Sequence, residues 1–206
     1  MKKIMFNDKY GLTKAVLEGK KTHTRRVISD KILDKIKLFQ DEYFNASFDL
    51  LEGKDLIEAY MVNYPEKLPY NVGEIVAVAQ SYRDICDECF WHGAYTVRTS
   101  LPYRLAGWSN KMLTSSDEMP HQIRITAVRV ERLQAISDED CLKEGIHEKH
   151  WDEVIPPEPF YDFDGNKKDV FDTPREAYAA LIDKVSGKGT WDKNPYVFVY
   201  DFELIK

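Results

Sequence analysis

From Ile123 to Leu133 the chain alternates, with Ile123, Ile125, Val128, Val130 and Leu133 apolar and polar or charged residues between most of them. Successive side chains on a strand point to opposite faces, so such a run lays one face on a core and leaves the other to polar surroundings. The alternation slips once, near Ala127, and a one-residue slip marks a β-bulge. A chain carrying this run is committed to a sheet. Other short apolar runs can join it: Ile4 to Phe6, Glu74 to Ala79 behind Val72-Gly73, a weaker one over Tyr95 to Val97, and Pro195 to Ile205.

Helices with readable ends lie between these runs. Asn7 or Asp8 can cap a helix over about Lys9 to Glu18, with Leu12, Ala15 and Val16 on its apolar face. Ile32, Leu33, Ile36, Phe39 and Tyr43 recur at the spacing of an amphipathic helix. Ser137-Asp138-Glu139-Asp140 resembles a capping box, with Asp140 in the usual Glu position and Ile136 and Cys141 placed as a staple. Gly145 follows as its C′ glycine, which leaves Glu144 at the negative end of the helix dipole, an unfavourable place for a carboxylate by about 0.3–1 kcal/mol. Thr173-Pro174-Arg175-Glu176 starts another helix, ended by Gly187. Residues 151–170 show no period and read as a long loop.

Short strands interspersed with short helices, without regular βαβ spacing, indicate the α+β class and a small, strongly curved sheet or barrel. At 206 residues the chain suits one domain, 1–206, with room for insertions. No apolar run is long enough to cross a membrane, and Met1 to Phe6 contains no apolar segment of the signal-peptide kind. Three cysteines argue against a disulfide framework, so a cytoplasmic location is expected. A net charge of -6 argues against a broad grip on duplex nucleic acid, though a local basic pocket is compatible with it.

One such locality stands out. Gly19-Lys20-Lys21-Thr22-His23-Thr24-Arg25-Arg26 concentrates cations and hydroxyls where a helix should give way to a strand. Gly19 fits the left-handed end of the helix, and Thr22 onward reads as extended. Alternation puts Thr22, Thr24 and Arg26 on one face and His23, Arg25 and Val27 on the other. A solvated turn is the plain interpretation, since lysine and arginine are usually exposed. The chemical one makes the Thr24 hydroxyl a nucleophile. Lys21 would act as its base after neighbouring cations lower the lysine pKa, with Glu144 as orienter or proton carrier.

Two further clusters hold residues of chemical interest. Cys86, Cys89 and His92 fall at three-residue intervals and could supply three zinc ligands, but a second ligand pair is missing, so no metal is expected. Trp91, Trp108, Trp151 and Trp191 suit core packing, or stacking on a base if they flank the corner.

The pattern Gly19-x-Lys21-x-x-Thr24-x-Arg26 resembles the signature of the ASCH domain, within the PUA-like superfamily. Val72-Gly73-Glu74, Met119-Pro120 before Ile-Arg-Ile, and Trp191-Asp192-x-Asn194-Pro195 resemble the phage-associated branch and span nearly the whole chain. The resemblance implies a PUA-like curved β-barrel with flanking helices and insertions at about 29–63 and 151–170. It also implies RNA, a nucleotide or a modified nucleoside as partner, with no cofactor. One branch of the family deacetylates N4-acetylcytidine through a lysine, a threonine and a glutamate, and Lys21, Thr24 and Glu144 are similar to that set. Lys20, Thr22, Arg25 and Arg26 would then hold the substrate. A non-catalytic nucleotide-binding module and a phage accessory interaction protein are the alternatives. The chain departs from the deacetylase branch in its length and in His23 and Arg25, and many ASCH domains carry a glutamate where Thr24 stands. Ala79-Gln80-Ser81-Tyr82 departs from the phage-associated branch, which usually has Arg-Glu-Thr-Trp there.

Overall fold

The structure, a computed structural model, describes residues 1–44, 51–91, 106–151, 158–165 and 169–205, with the side chains of 43–44 and 87–91 also outside the description. In chain order the strands are β1 (Lys3–Ile4), β2 (His23–Val27), β3 (Ile75–Val78), β4 (Gln122–Arg132), β5 (His147–His150), β6 (Pro159–Asp162) and β7 (Tyr196–Leu204). The helices are α1 (Leu12–Leu17), α2 (Asp30–Phe44), α3 (Gly53–Asn63), α4 (Tyr82–Trp91), α5 (Asp138–Lys143), α6 (Pro174–Ser186) and α7 (Thr190–Lys193). The expected α+β class is what the chain forms.

Five strands make the main sheet in the order β1-β3-β4-β7-β2. Among the described strands of this sheet, β1 and β3 pair parallel and the other pairs antiparallel. β4 is the long strand read from the alternation, and its register with β7 shifts between Ile125 and Ala127. The bulge restores the burial of the apolar face after the slip, with Ile123, Ile125 and Val130 all buried. β7 lies between β4 and β2, and Val197, Phe198, Val199 and Tyr200 are buried in succession. Four consecutive buried side chains on a strand mean that both faces are covered there.

Several expectations are corrected. The main sheet is open rather than a closed barrel: among the described residues β1 and β2 are its unpaired edges. Closure needs strand tilt and stagger that bring the two edges together, and a β1 only two residues long offers little to pair with. The helix expected over Lys9 to Glu18 is broken at Gly11, whose φ of 66° separates a 3₁₀ turn at Asp8–Tyr10 from α1. Asn7 caps that turn, accepting from the Lys9 amide at 3.0 Å. Part of the stretch read as a loop, 151–170, is strand β6, paired antiparallel with β5. The Tyr95 to Val97 strand lies outside the described residues.

Residues 29–63 contribute to the core. Ile36 and Phe39 of α2 and Leu56, Ile57 and Tyr60 of α3 are buried in the main cluster. Phe39 meets Tyr60 edge-on at 5.8 Å between ring centroids, a geometry aromatic quadrupoles favour. α6 begins as read, with Thr173 Oγ1 accepting from the Glu176 amide and Pro174 in its first turn. None of the described helices is long and apolar enough to cross a membrane.

Candidate active site

The basic corner is docked on the end of α5. Gly19 takes a φ of 70° and turns the chain out of α1. The next residues satisfy carbonyls that a helix C-terminus leaves without partners. The Thr22 amide donates to Lys143 O at 3.0 Å. Lys21 Nζ donates to Glu144 O at 2.7 Å and to Glu144 Oε2 at 2.6 Å. A cation therefore sits at the negative end of the helix, which offsets the dipole penalty on the Glu144 carboxylate. α5 itself starts as read from sequence, with Ser137 Oγ accepting from the Asp140 amide at 3.2 Å.

Lys21 and Glu144 are almost wholly buried, at 2% and 4% exposure. Burial pushes the Lys21 ammonium below its ordinary value, because a low-dielectric surrounding disfavours charge. Glu144 opposes that shift, while Arg26 and Arg25 add to it. The lysine is thus easier to deprotonate than one on the surface.

Arg25 holds the other side of the same carboxylate. Its Nη1 donates to Glu144 Oε1 at 3.1 Å, Nη2 to Asp140 Oδ2 at 2.8 Å and Nε to Glu131 Oε1 at 2.8 Å. Burial works against the guanidinium charge, but Glu144, Asp140 and Glu131 outweigh it and hold Arg25 protonated above its ordinary value. Arg129 extends the network to Asp140 at 2.9 Å and to Asp201, which also meets His23 Nε2 at 3.2 Å. Arg25 is a clamp that fixes Glu144, and its donors are spent on protein carboxylates.

The Lys21–Glu144 pair faces a pocket of about 80 Å³ that Thr24, Arg25 and Arg26 also line. One water needs roughly 10–15 Å³ by this measure, so a small polar group and its surroundings fit. Phe6 supplies the ring: Lys21 Nζ lies 5.9 Å and the Arg26 guanidinium carbon 5.7 Å from its centroid. Arg26 Nη2 also donates to the Met5 carbonyl. Leu181, Ile182 and Val185 of α6 form an apolar wall, and Val27, Val185 and Ser186 are exposed at its margin.

The residues expected at the site therefore divide. Lys21, Thr24, Glu144, Arg25 and Arg26 come together around one pocket. Lys20 does not: it is 64% exposed, pairs with Glu18 at 2.6 Å and lines a separate surface depression beside His147 and Lys149. Thr22 is turned to its neighbour, with Oγ1 at 3.0 Å from His23 Nδ1. The pocket does not separate the two anticipated strand faces: Thr24 and Arg26 line it, and so do Arg25 and Val27, while His23 and Arg25 share the ionic network.

Of the metal candidates, Cys86 is described and half-buried, while the Cys89 side chain and His92 lie outside the described residues. Trp108, Trp151 and Trp191 are not in the pocket: Trp151 stacks on Phe160 and Trp191 packs against Tyr178. The Trp91 side chain is outside the description.

Sequence reasoning missed Phe6, Tyr178 and the carboxylates Glu131 and Asp140. The signal for Tyr178 was available. It stands at the head of a stripe, Tyr178, Leu181, Ile182, Val185, whose spacing puts all four on one face of α6. A tyrosine in an otherwise aliphatic stripe needs a partner for its hydroxyl. Comparison with protein-family models, with curated proteins and with solved structures finds no match.

Proposed function

We propose that the pocket is the active site of an amidohydrolase that removes an acyl group from a nucleobase amine, N4-acetylcytidine being the reference substrate. The observation that carries the reading is the buried Lys21–Glu144 pair, 2.6 Å apart, facing a pocket that Thr24 also lines. Burial lowers the proton affinity of Lys21, the direction in which a lysine must shift to serve as a base. Among the described residues the Thr24 hydroxyl has no hydrogen-bond partner, so it is free to take part.

In the reaction, Thr24 or a water activated beside it adds to the amide carbon, and Lys21 takes the proton released. The carbon–nitrogen bond then breaks and the leaving amine receives that proton, directly or through Glu144. With threonine as nucleophile, a water afterwards cleaves the acyl-threonine ester and frees the acid. Glu144 is held between Lys21 and Arg25, so it positions the lysine throughout. Arg26, which among the described residues meets no carboxylate, is available to an anionic or carbonyl group of the substrate.

The ASCH-like motif supports the same reading and carries with it a PUA-like derivation of the sheet. A second reading, nucleotide binding without turnover, draws on Arg26 beside the Phe6 ring, a pairing that suits a base or phosphate. Hydrolysis of N4-acetylcytidine by the purified protein, beside Lys21→Ala and Thr24→Ala, tests the proposal. Turnover by the parent that both variants lose is the expected result. A folded parent that releases no cytidine overturns the enzymatic reading, and salt-sensitive nucleotide binding that weakens in Arg26→Ala then supports the second.

A further inference from the structure

Among the described residues the hydroxyls of Tyr178 and Tyr200 are both buried without a hydrogen-bond partner, and of the two Tyr178 lines the pocket around Lys21. Tyr178 is 2% exposed, and its hydroxyl oxygen is buried without a donor or acceptor among the described residues. Nearly all buried polar groups in folded proteins are paired, so an orphan of this kind asks for an explanation. The ring itself is well supported: it packs edge-on against Trp191 at 6.1 Å between centroids, from a helix whose capped start and apolar face fix its position. The residue lines the same pocket as Lys21, Thr24 and Glu144.

We infer that Tyr178 is a ligand-binding residue whose hydroxyl donates a hydrogen bond to a carbonyl oxygen of the molecule the pocket takes. A phenol can donate or accept, and its surroundings select donation. Burial first, and Glu144 second, push the phenol well above its ordinary value, so it keeps its proton at any neutral pH. Lys21, Arg26 and Tyr178 line one small pocket, and its apolar wall of Leu181 and Ile182 would receive the carbon skeleton beside the carbonyl. In an acyl-transfer reaction the same donor would face the oxygen on which charge develops, a position where removing one hydrogen bond costs about 10²–10³-fold in turnover.

The inference rests on the proposed function only in taking this pocket as the ligand site. It does not require that the ligand be a nucleoside. The test compares the parent with Tyr178→Phe, which keeps the ring, in two measurements. The first is thermal unfolding without ligand. A hydroxyl with no partner contributes nothing, so the variant should unfold at the same temperature or higher. A fall of more than about 3 °C would show that the hydroxyl is bonded within the protein and would overturn the inference.

The second is titration with acetamide, followed by NMR, as a probe carrying the amide carbonyl and no base. Binding that weakens about five- to tenfold in Tyr178→Phe supports the inference. Equal binding by the two proteins, or none by the parent, overturns it. Adding N4-acetylcytidine separates this inference from the proposed reaction. Acetamide binding that depends on Tyr178, without nucleoside turnover, retains the tyrosine and sinks the nucleoside reading. Turnover that Tyr178→Phe leaves intact does the reverse.

Discussion

Replacing Glu144 by Gln is the sharpest single test of how the site is held. The carboxylate accepts from Lys21 Nζ at 2.6 Å through one oxygen and from Arg25 Nη1 at 3.1 Å through the other. Glutamine has nearly the same shape but one acceptor oxygen, so its amide nitrogen must face one of two cations. Arg25 keeps Glu131 and Asp140, and Lys21 keeps the Glu144 main-chain carbonyl. What is lost is one charge-assisted bond, about 1.5–3 kcal/mol, and the negative charge that balances a buried lysine. Breaking a buried pair in this way costs about 3–5 kcal/mol in all. For a chain of this size that is a drop in Tm of about 6–20 °C.

The loss should also depend on pH in a definite direction. In the parent, Lys21 already binds its proton less tightly when folded than the 10.5 of a free lysine, because it is buried. Between its folded value and 10.5 the unfolded chain carries more protons, so this group makes stability rise with pH. Without Glu144 the folded value falls further, and the rise begins at lower pH. The gap between parent and variant therefore narrows as pH rises, by about 1.4 kcal/mol for each unit that the folded value moves. Urea unfolding across pH 6 to 10 measures it. A loss under about 1 kcal/mol, or a gap that does not change with pH, would refute the reasoning.

Three more outcomes follow from the geometry. Gly19→Ala should cost about 1–2 kcal/mol from its φ of 70° alone, because a Cβ there meets nothing within 4 Å. At Gly145 a Cβ would lie 3.2 Å from Leu12 Cδ2 and 3.6 Å from Lys21 Cδ at a φ of 101°. Gly145→Ala should therefore cost more than Gly19→Ala in urea unfolding, and equal losses would show that the Leu12 side chain gives way. Burial lowers the His23 imidazole below 6.5 despite the pull of Asp201, so the unfolded chain takes that proton first and stability falls as pH drops below about 6.5. His23→Gln should flatten this part of the profile, and an unchanged slope would assign it to other groups. The Cys141 thiol, buried and pushed up to about 12 by desolvation, should resist a disulfide reagent at pH 8 until the protein is unfolded. Peptide mapping that finds it modified in the native state would contradict its burial.

What could be read from the chain was the local part. The Ser137 and Thr173 caps, the glycines at 19, 145 and 187, and the bulged alternation of β4 depend on residues a few positions apart. Their physics acts over one turn or one strand, so residue order is enough to determine them. The corner could be recognised as unusual for the same reason, since its glycine and its density of cations are contiguous. Gly11 shows the limit of such reading: the helical pattern runs through it, yet the folded chain breaks there in a left-handed turn.

The site itself was decided by tertiary structure. Lys21 and Glu144 are separated by 123 residues, and only the docking of the corner on the end of α5 makes them a pair. The four cations of the corner look alike in sequence, yet each meets a different environment. Lys20 stays in solvent, Lys21 is buried on a carboxylate, Arg25 is saturated by three carboxylates from β4 and α5, and Arg26 reaches the pocket. Charge and burial are properties of neighbours brought from far along the chain. Composition could announce a basic corner, but only the tertiary structure could divide its cations between solvent, the ionic network and the pocket, and bring Tyr178 to line that pocket with them.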